Sequence, residues 1–199
     1  MKLLLENWRK FLNESKLRVF DFDDTLATTT SKVKLTQADG SKRNLTPDEF
    51  ATYELQPGES YDEETAFIEF ADVRDGEEIR QIANILRNVV DAGTEGRKIA
   101  ILTARSAEAQ QPIANFLEEI GVDSSKVEIM TLSSTDPQDK KDWIKREIQA
   151  GADDIEFFDD SQDNVAAVES LKDDYPHIRL VSRLVKYGRR RIPKNETLI

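Results

Sequence analysis

The sequence predicts an α/β protein, built on a doubly wound, mostly parallel sheet with helices on both faces and a small insertion after the first strand. Three observations carry that expectation. Short apolar runs recur at 17–20 (LRVF), 98–103 (KIAILT), 127–132 and 154–158, the lengths of buried strands. Between them, from residue 79 onward, apolar residues return at helical spacing, so strands and helices alternate. The runs also end on polar residues, as strands do where an open α/β sheet keeps its site.

The elements follow in order. Leu4, Trp8, Phe11 and Leu12 share one helical face, which predicts an amphipathic helix over about 2–14, docked on the domain or contacting a partner or membrane surface. Residues 17–20 form the first strand. The segment from about 27 to 76 is read as an insertion. Within it, Asp39-Gly40 between two β-like runs predicts a hairpin. Thr46-Pro47-Asp48-Glu49 predicts a helix start, with Thr46 as N-cap, Pro47 in the first turn and Glu49 closing a capping box. The acidic stretch from Asp62 to Glu78 reads as a solvated face. Ile79, Ile82, Ala83, Leu86 and Val90 mark a helix ending near Gly93, and 98–103 is the second strand. Phe116, Leu117 and Ile120 belong to a helix closed by Gly121, where a residue free to adopt positive φ suits a helix end. After the third strand, Trp143, Ile144 and Ile148 define a helix ending near Gly151. The fourth strand, 154–158, leads to a helix through Val165, Val168 and Leu171, and a fifth strand is expected at 178–181. The tail, about 183–199, carries six basic and no acidic residues between Arg183 and Lys194. It reads as a solvated end or as a contact for nucleic-acid phosphate.

Composition narrows the chemistry. A chain of 199 residues fits a single domain with an insertion. The net charge of −11 works against global attraction to nucleic acid or anionic membrane. With no cysteine, disulfides, thiolate nucleophiles and Cys-ligated metals drop out. With His177 as the only histidine, a Ser-His-Asp triad or a multi-histidine metal site has little to build on. Neither a membrane span nor a signal-peptide apolar region is legible, so the expected location is the cytoplasm, with no membrane contact, and no protein partner is predicted.

The chemistry must then come from carboxylates, hydroxyls, Lys or Arg, and these gather at the strand ends. The first strand leads into Asp21-Phe22-Asp23-Asp24-Thr25-Leu26, the second into Thr103-Ala104-Arg105, and the fourth into Asp159-Asp160-Ser161. Lys140 and Lys141 follow the third. Phosphate beside several carboxylates is repelled unless a cation intervenes, and Mg²⁺ accepts hard oxygen ligands. Asp21 and Asp160, from two neighbouring strands, suit that cation. A carboxylate such as Asp21 attacks phosphorus once the phosphate charge is offset. Thr103 and a lysine would hold phosphoryl oxygens, and Asp23 would serve the leaving group as general acid and the incoming water as base. Lys140 lies four residues before Ile144 and eight before Ile148, which places it on their inward face. Lys141 and, further off, Lys145 are the alternatives. Arg105 is read as touching substrate or pairing with a surface acid. Asn164 is kept outside the ligand set.

Apolar run–DFDDTL, ILTAR, a lysine at a helix start and FFDDS, in that order, resemble the haloacid dehalogenase (HAD) superfamily over about 19–164. The resemblance implies a phosphatase with Asp21 as nucleophile and Asp23 as general acid/base. Thr103 would be the phosphate-binding hydroxyl, and Lys140 the third-motif lysine. Mg²⁺ would sit on Asp21, the backbone carbonyl of Asp23 and Asp160, with Asp159 supporting that shell. The insertion would be a small cap over the site. The expected substrate is a phosphate monoester: a nucleotide, another small phosphometabolite or a nucleic-acid end. A phospho-acceptor signalling domain fits less well, because there the acceptor Asp follows the acidic pair by one strand and the Lys comes last. A catalytically silent binding module on the same fold is the third reading, although no catalytic position is visibly replaced.

Overall fold

The computed structural model of the chain describes residues 15–62 and 65–186. The expected helix at 2–14 lies outside these residues, as does the basic tail from residue 187 on.

The elements run β1 (Ser15–Phe20), β2 (Ala27–Thr28), β3 (Val33–Thr36), β4 (Lys42–Leu45), α1 (Pro47–Thr52), β5 (Ser60–Tyr61), α2 (Ile68–Ala71) and β6 (Glu77–Glu78). They continue with α3 (Arg80–Asp91), β7 (Arg97–Thr103), α4 (Gln110–Glu119), β8 (Glu128–Thr131), α5 (Pro137–Gln149), β9 (Ala152–Asp159), α6 (Gln162–Glu169), α7 (Leu171–Asp174) and β10 (Arg179–Leu184). The central sheet has the order β10-β9-β1-β7-β8, and every pairing in it is parallel. The chain starts in the middle strand, winds one way through β7 and β8, then returns to the other side for β9 and β10.

Alternation along β1 explains why helices cover both faces. Phe20 points to one face, where it stacks on Phe158 (ring centroids 4.8 Å apart, ring planes nearly parallel) beneath α3 and α4. Leu17 and Val19 point to the other, into a second cluster with Trp143, Ile144 and Ile148 of α5, Val168 of α6 and Leu171 of α7. The helix ends expected at Gly93, Gly121 and Gly151 all carry glycines at positive φ (88°, 77° and 115°). β10 extends to Leu184, beyond the expected 178–181, and Val185 N–H still donates to Asp159 O (2.8 Å). The sheet ladder therefore takes in the first residues that the sequence assigns to the tail.

The insertion forms its own small unit. β3 and β4 pair antiparallel across Gln37–Ser41, with Gly40 at φ 83°, as the Asp39-Gly40 signal expects. Thr46 caps α1 and both halves of the capping box are made with Glu49. Val33, Leu35, Leu45 and Phe70 form a separate core with Phe50, Tyr53, Tyr61 and Phe67 around it. The acidic stretch from Asp62 is thus not wholly a solvated face: Phe67 and Phe70 within it build the insertion's core. β2 and β6 pair antiparallel (Ala27 with Glu78, Thr28 with Glu77), so the unit leaves and rejoins the main body at one place.

Candidate active site

The parallel ladder places the strand-end residues side by side. Phe20 is in register with Phe158, so Asp21 and Asp159 emerge together, and Asp21 N–H donates to Phe158 O (2.9 Å). β7 flanks β1 on the other side and delivers Thr103 to the same edge. The loop after β1 is tightly wound. Leu26 and Ala27 N–H both donate to Phe22 O, and Asp24 takes a positive φ of 54°, a conformation that Asp tolerates better than most residues.

Asp21, Asp159 and Asp160 each offer a carboxylate oxygen within 4.8 Å of the others, at a site that holds their side chains largely away from water. Lys140 reaches them from α5. Its buried Nζ donates to Asp21 Oδ1 (2.6 Å) and Asp159 Oδ2 (2.7 Å). Lys140 is buried against these carboxylates, whereas Lys141 is only half-buried. The helical phase that put Lys140 on the face of Ile144 and Ile148 also aims it inward. Asp159 is further held by Ser161 N–H (2.9 Å) and by Asn164 Nδ2 (3.0 and 3.1 Å), so protein donors occupy both of its oxygens. This carboxylate orients Lys140 and the loop after β9. Asp21 and Asp160 are the better placed to meet a cation. Asp160 accepts from Thr25 Oγ1 (3.3 Å).

The electrostatics agree with an unbalanced acidic cluster. Burial pushes the Asp21 carboxyl well above its ordinary value; Lys140 opposes this, while Asp159, Asp160 and Asp23 add to it. Burial, then Asp159 and Asp24, raise Asp160 to about 6. Burial alone would lower Lys140, but its contacts with Asp21 and Asp159 outweigh that and hold it protonated, above its ordinary value. Three carboxylates around one ammonium leave excess negative charge that a proton or a hard divalent cation neutralises. The donor set, all oxygens, fits Mg²⁺ in type.

Thr103 lies at the expected edge but is fully buried, with its hydroxyl oxygen accepting Arg105 N–H (3.3 Å). Asp23 is near the cluster, yet its carboxylate is turned to Arg105, which binds both oxygens through Nε (2.9 Å) and Nη2 (2.7 Å). Arg105 is fully buried, so the pairing with a surface acid that the sequence allowed is replaced by one with the candidate acid itself. The only histidine, His177, is exposed beside Tyr175. A cavity of about 90 Å³ opens onto Asp21, Asp23, Lys140 and Asp160, and the insertion roofs it with Pro47, Phe50 and Phe70. The sequence led to a cap over the site and to Asn164 as a support outside the ligand set, but it did not single out Phe50 and Phe70 as the roof, or the brace that Ser161 and Asn164 together give Asp159. The only signal for the brace was the Asp-Asp-Ser-x-x-Asn order, which reads equally well as a helix N-cap.

No family model matches the chain, and neither the curated proteins nor the solved structures offer a match. Among the described residues, no helix is long and apolar enough to cross a membrane.

Proposed function

We propose that the protein is a phosphatase of the HAD type, hydrolysing a phosphate monoester through an aspartyl-phosphate on Asp21, with the insertion acting as a cap. The observation that carries this reading is the contact of Lys140 with Asp21 and Asp159, with Asp160 alongside. It joins residues from two neighbouring strand ends and a helix into one cluster that has excess negative charge but contains an ammonium.

Asp21 Oδ attacks the phosphorus as the ester P–O bond breaks. Asp23, set by Arg105, gives its proton to the departing oxygen from the side of the carboxyl that the guanidinium leaves free. A water then attacks the phosphorus of the acyl phosphate, Asp23 takes its proton, and Asp21 is released as carboxylate with inorganic phosphate. Lys140 fixes the Asp21 carboxylate and offsets charge on the phosphoryl oxygens. The Thr103 hydroxyl, whose oxygen already accepts from Arg105 N–H, keeps its own proton to donate to phosphate. Asp21 and Asp160, with the Asp23 carbonyl, would hold Mg²⁺, which when bound screens the phosphate from the carboxylates. The roof of Phe50 and Phe70 limits water around the acyl phosphate and leaves the rest of the substrate at the rim. A compact phosphometabolite, or a terminal phosphate on a nucleotide or nucleic-acid end, meets that constraint.

The test is turnover of an aryl phosphate, with and without Mg²⁺, by wild type and Asp21→Asn. Mg²⁺-dependent turnover that falls by about 10⁴-fold or more in the variant is expected, the scale of losing a nucleophile. A stable phospho-adduct without turnover would instead support the phospho-acceptor reading. Absence of both turnover and Mg²⁺ binding would leave the silent binding module.

A further inference from the structure

The guanidinium of Arg105 spends all five of its N–H donors. Nε and one Nη2 hydrogen hold the two oxygens of Asp23 (2.9 and 2.7 Å), and the other Nη2 hydrogen goes to Thr29 Oγ1 (3.0 Å). Both Nη1 hydrogens go to backbone carbonyls of the insertion, Phe70 O and Asp72 O, the latter at 2.8 Å. The plane is packed between Phe22 of the main body (5.2 Å) and Phe70 of the insertion (4.6 Å). One fully buried cation thus binds the candidate acid with one edge and the insertion with the other. The acceptors Thr29 and Asp72 lie at the two places where the chain crosses between main body and insertion. Ser31 ties those crossings together, donating to Asp72 O (2.6 Å) and accepting Arg74 N–H (3.3 Å).

We infer that Arg105 is a positioning residue that latches the insertion shut and, through the same guanidinium, sets the carboxylate of Asp23. With the insertion open, Phe70 O, Asp72 O and the Phe70 ring leave Arg105 together. A guanidinium stripped of two acceptors and one packing face no longer has a single fixed orientation, and neither does the carboxylate it grips. Closure over a substrate and presentation of the acid then become one event. A lysine, with one point charge and no fork, cannot serve both edges at once. The Asp23 half of this inference rests on the phosphatase reading; the latch half does not.

Two measurements separate them. Hydrogen exchange at the crossing amides of Thr30 and Arg74 needs no substrate, and is compared among wild type, Arg105→Lys and Thr29→Val. Exchange faster by about tenfold or more in Arg105→Lys, and by about threefold in the milder Thr29→Val, is expected if the latch holds the crossings closed. Unchanged rates in the folded variants would overturn it, and Thr29→Val decides the matter if Arg105→Lys does not fold. Turnover is then compared on an alkyl and an aryl phosphate, because the poorer alkoxide leaving group depends far more on a placed acid. Arg105→Lys is expected to lose kcat by roughly 10²-fold on the alkyl ester and about tenfold less on the aryl one. Equal losses would overturn the role through Asp23. A wild type inactive on both esters would remove the phosphatase reading and the Asp23 half with it, leaving the latch to the exchange data.

Discussion

The Lys140 ammonium is the most consequential single group in the cluster, because it lies buried between two carboxylates. Lys140→Met keeps much of the volume and removes the charge. Breaking a buried pair by deleting one partner leaves an uncompensated charge, so urea unfolding of the metal-free variant should show a loss of about 3 kcal/mol. Asp160 gives a pH signature. Its pKa in the folded chain is raised to about 6, so the stability it contributes is fully present below the unfolded carboxyl value near 4 and is lost as pH rises through about 6. The metal-free protein should therefore weaken toward neutral pH. If the proposed Mg²⁺ site holds, the ion needs the deprotonated carboxylates, so calorimetric titrations between pH 5 and 8 should show affinity rising with pH. At this scale the sequence was informative wherever spacing encoded direction: Lys140 could be chosen because Ile144 and Ile148 repeat its helical phase. Arg105 was not legible. Its partners Thr29, Phe70 and Asp72 lie 33 to 76 positions away, and the hydrogen bonds to two of them end on backbone carbonyls, which any residue type supplies.

Among the elements, the insertion's hinge is the most constrained. Gly76 precedes β6, and a Cβ built there would meet Val73 Cγ1 at 2.8 Å and the Phe116 ring at 3.0 Å. Phe116 belongs to α4, so Gly76→Ala would push the hinge away from the main body. Thermal unfolding should register about 1–3 kcal/mol of destabilisation, the usual cost of overpacking. Thr46→Ala should cost less, about 1 kcal/mol, because it removes an exposed cap from a short helix. Helix starts and ends were readable in advance, since Thr46-Pro47 and the three C-terminal glycines are local chemistry. The acidic run before β6 was not. Phe67 and Phe70 are spaced as a single helical turn, too short to show a period among Asp and Glu, and their burial depends on β3 and β4 arriving from elsewhere.

At the scale of the whole molecule, two clusters fill the sheet faces and a third stands apart in the insertion, joined to the main body through β2 and β6. Replacing residues 30–75 with a short turn between Thr28 and Glu77 should leave a chain that still unfolds cooperatively, as followed by circular dichroism. If the proposed function holds, that chain should accept bulkier phosphate esters at a lower rate. The sheet order has another consequence, in time. β1 is the first described strand to leave the ribosome, yet it is the centre of the sheet, flanked by β7 and β9. At 5–20 residues per second, Leu17, Val19 and Phe20 wait roughly 4–15 s for β7 and longer for β9. The hairpin of β3 and β4, with its local contacts, can be complete well before then. During synthesis the small antiparallel unit thus precedes the sheet it stands on, and the apolar centre strand stays without its parallel neighbours in the meantime.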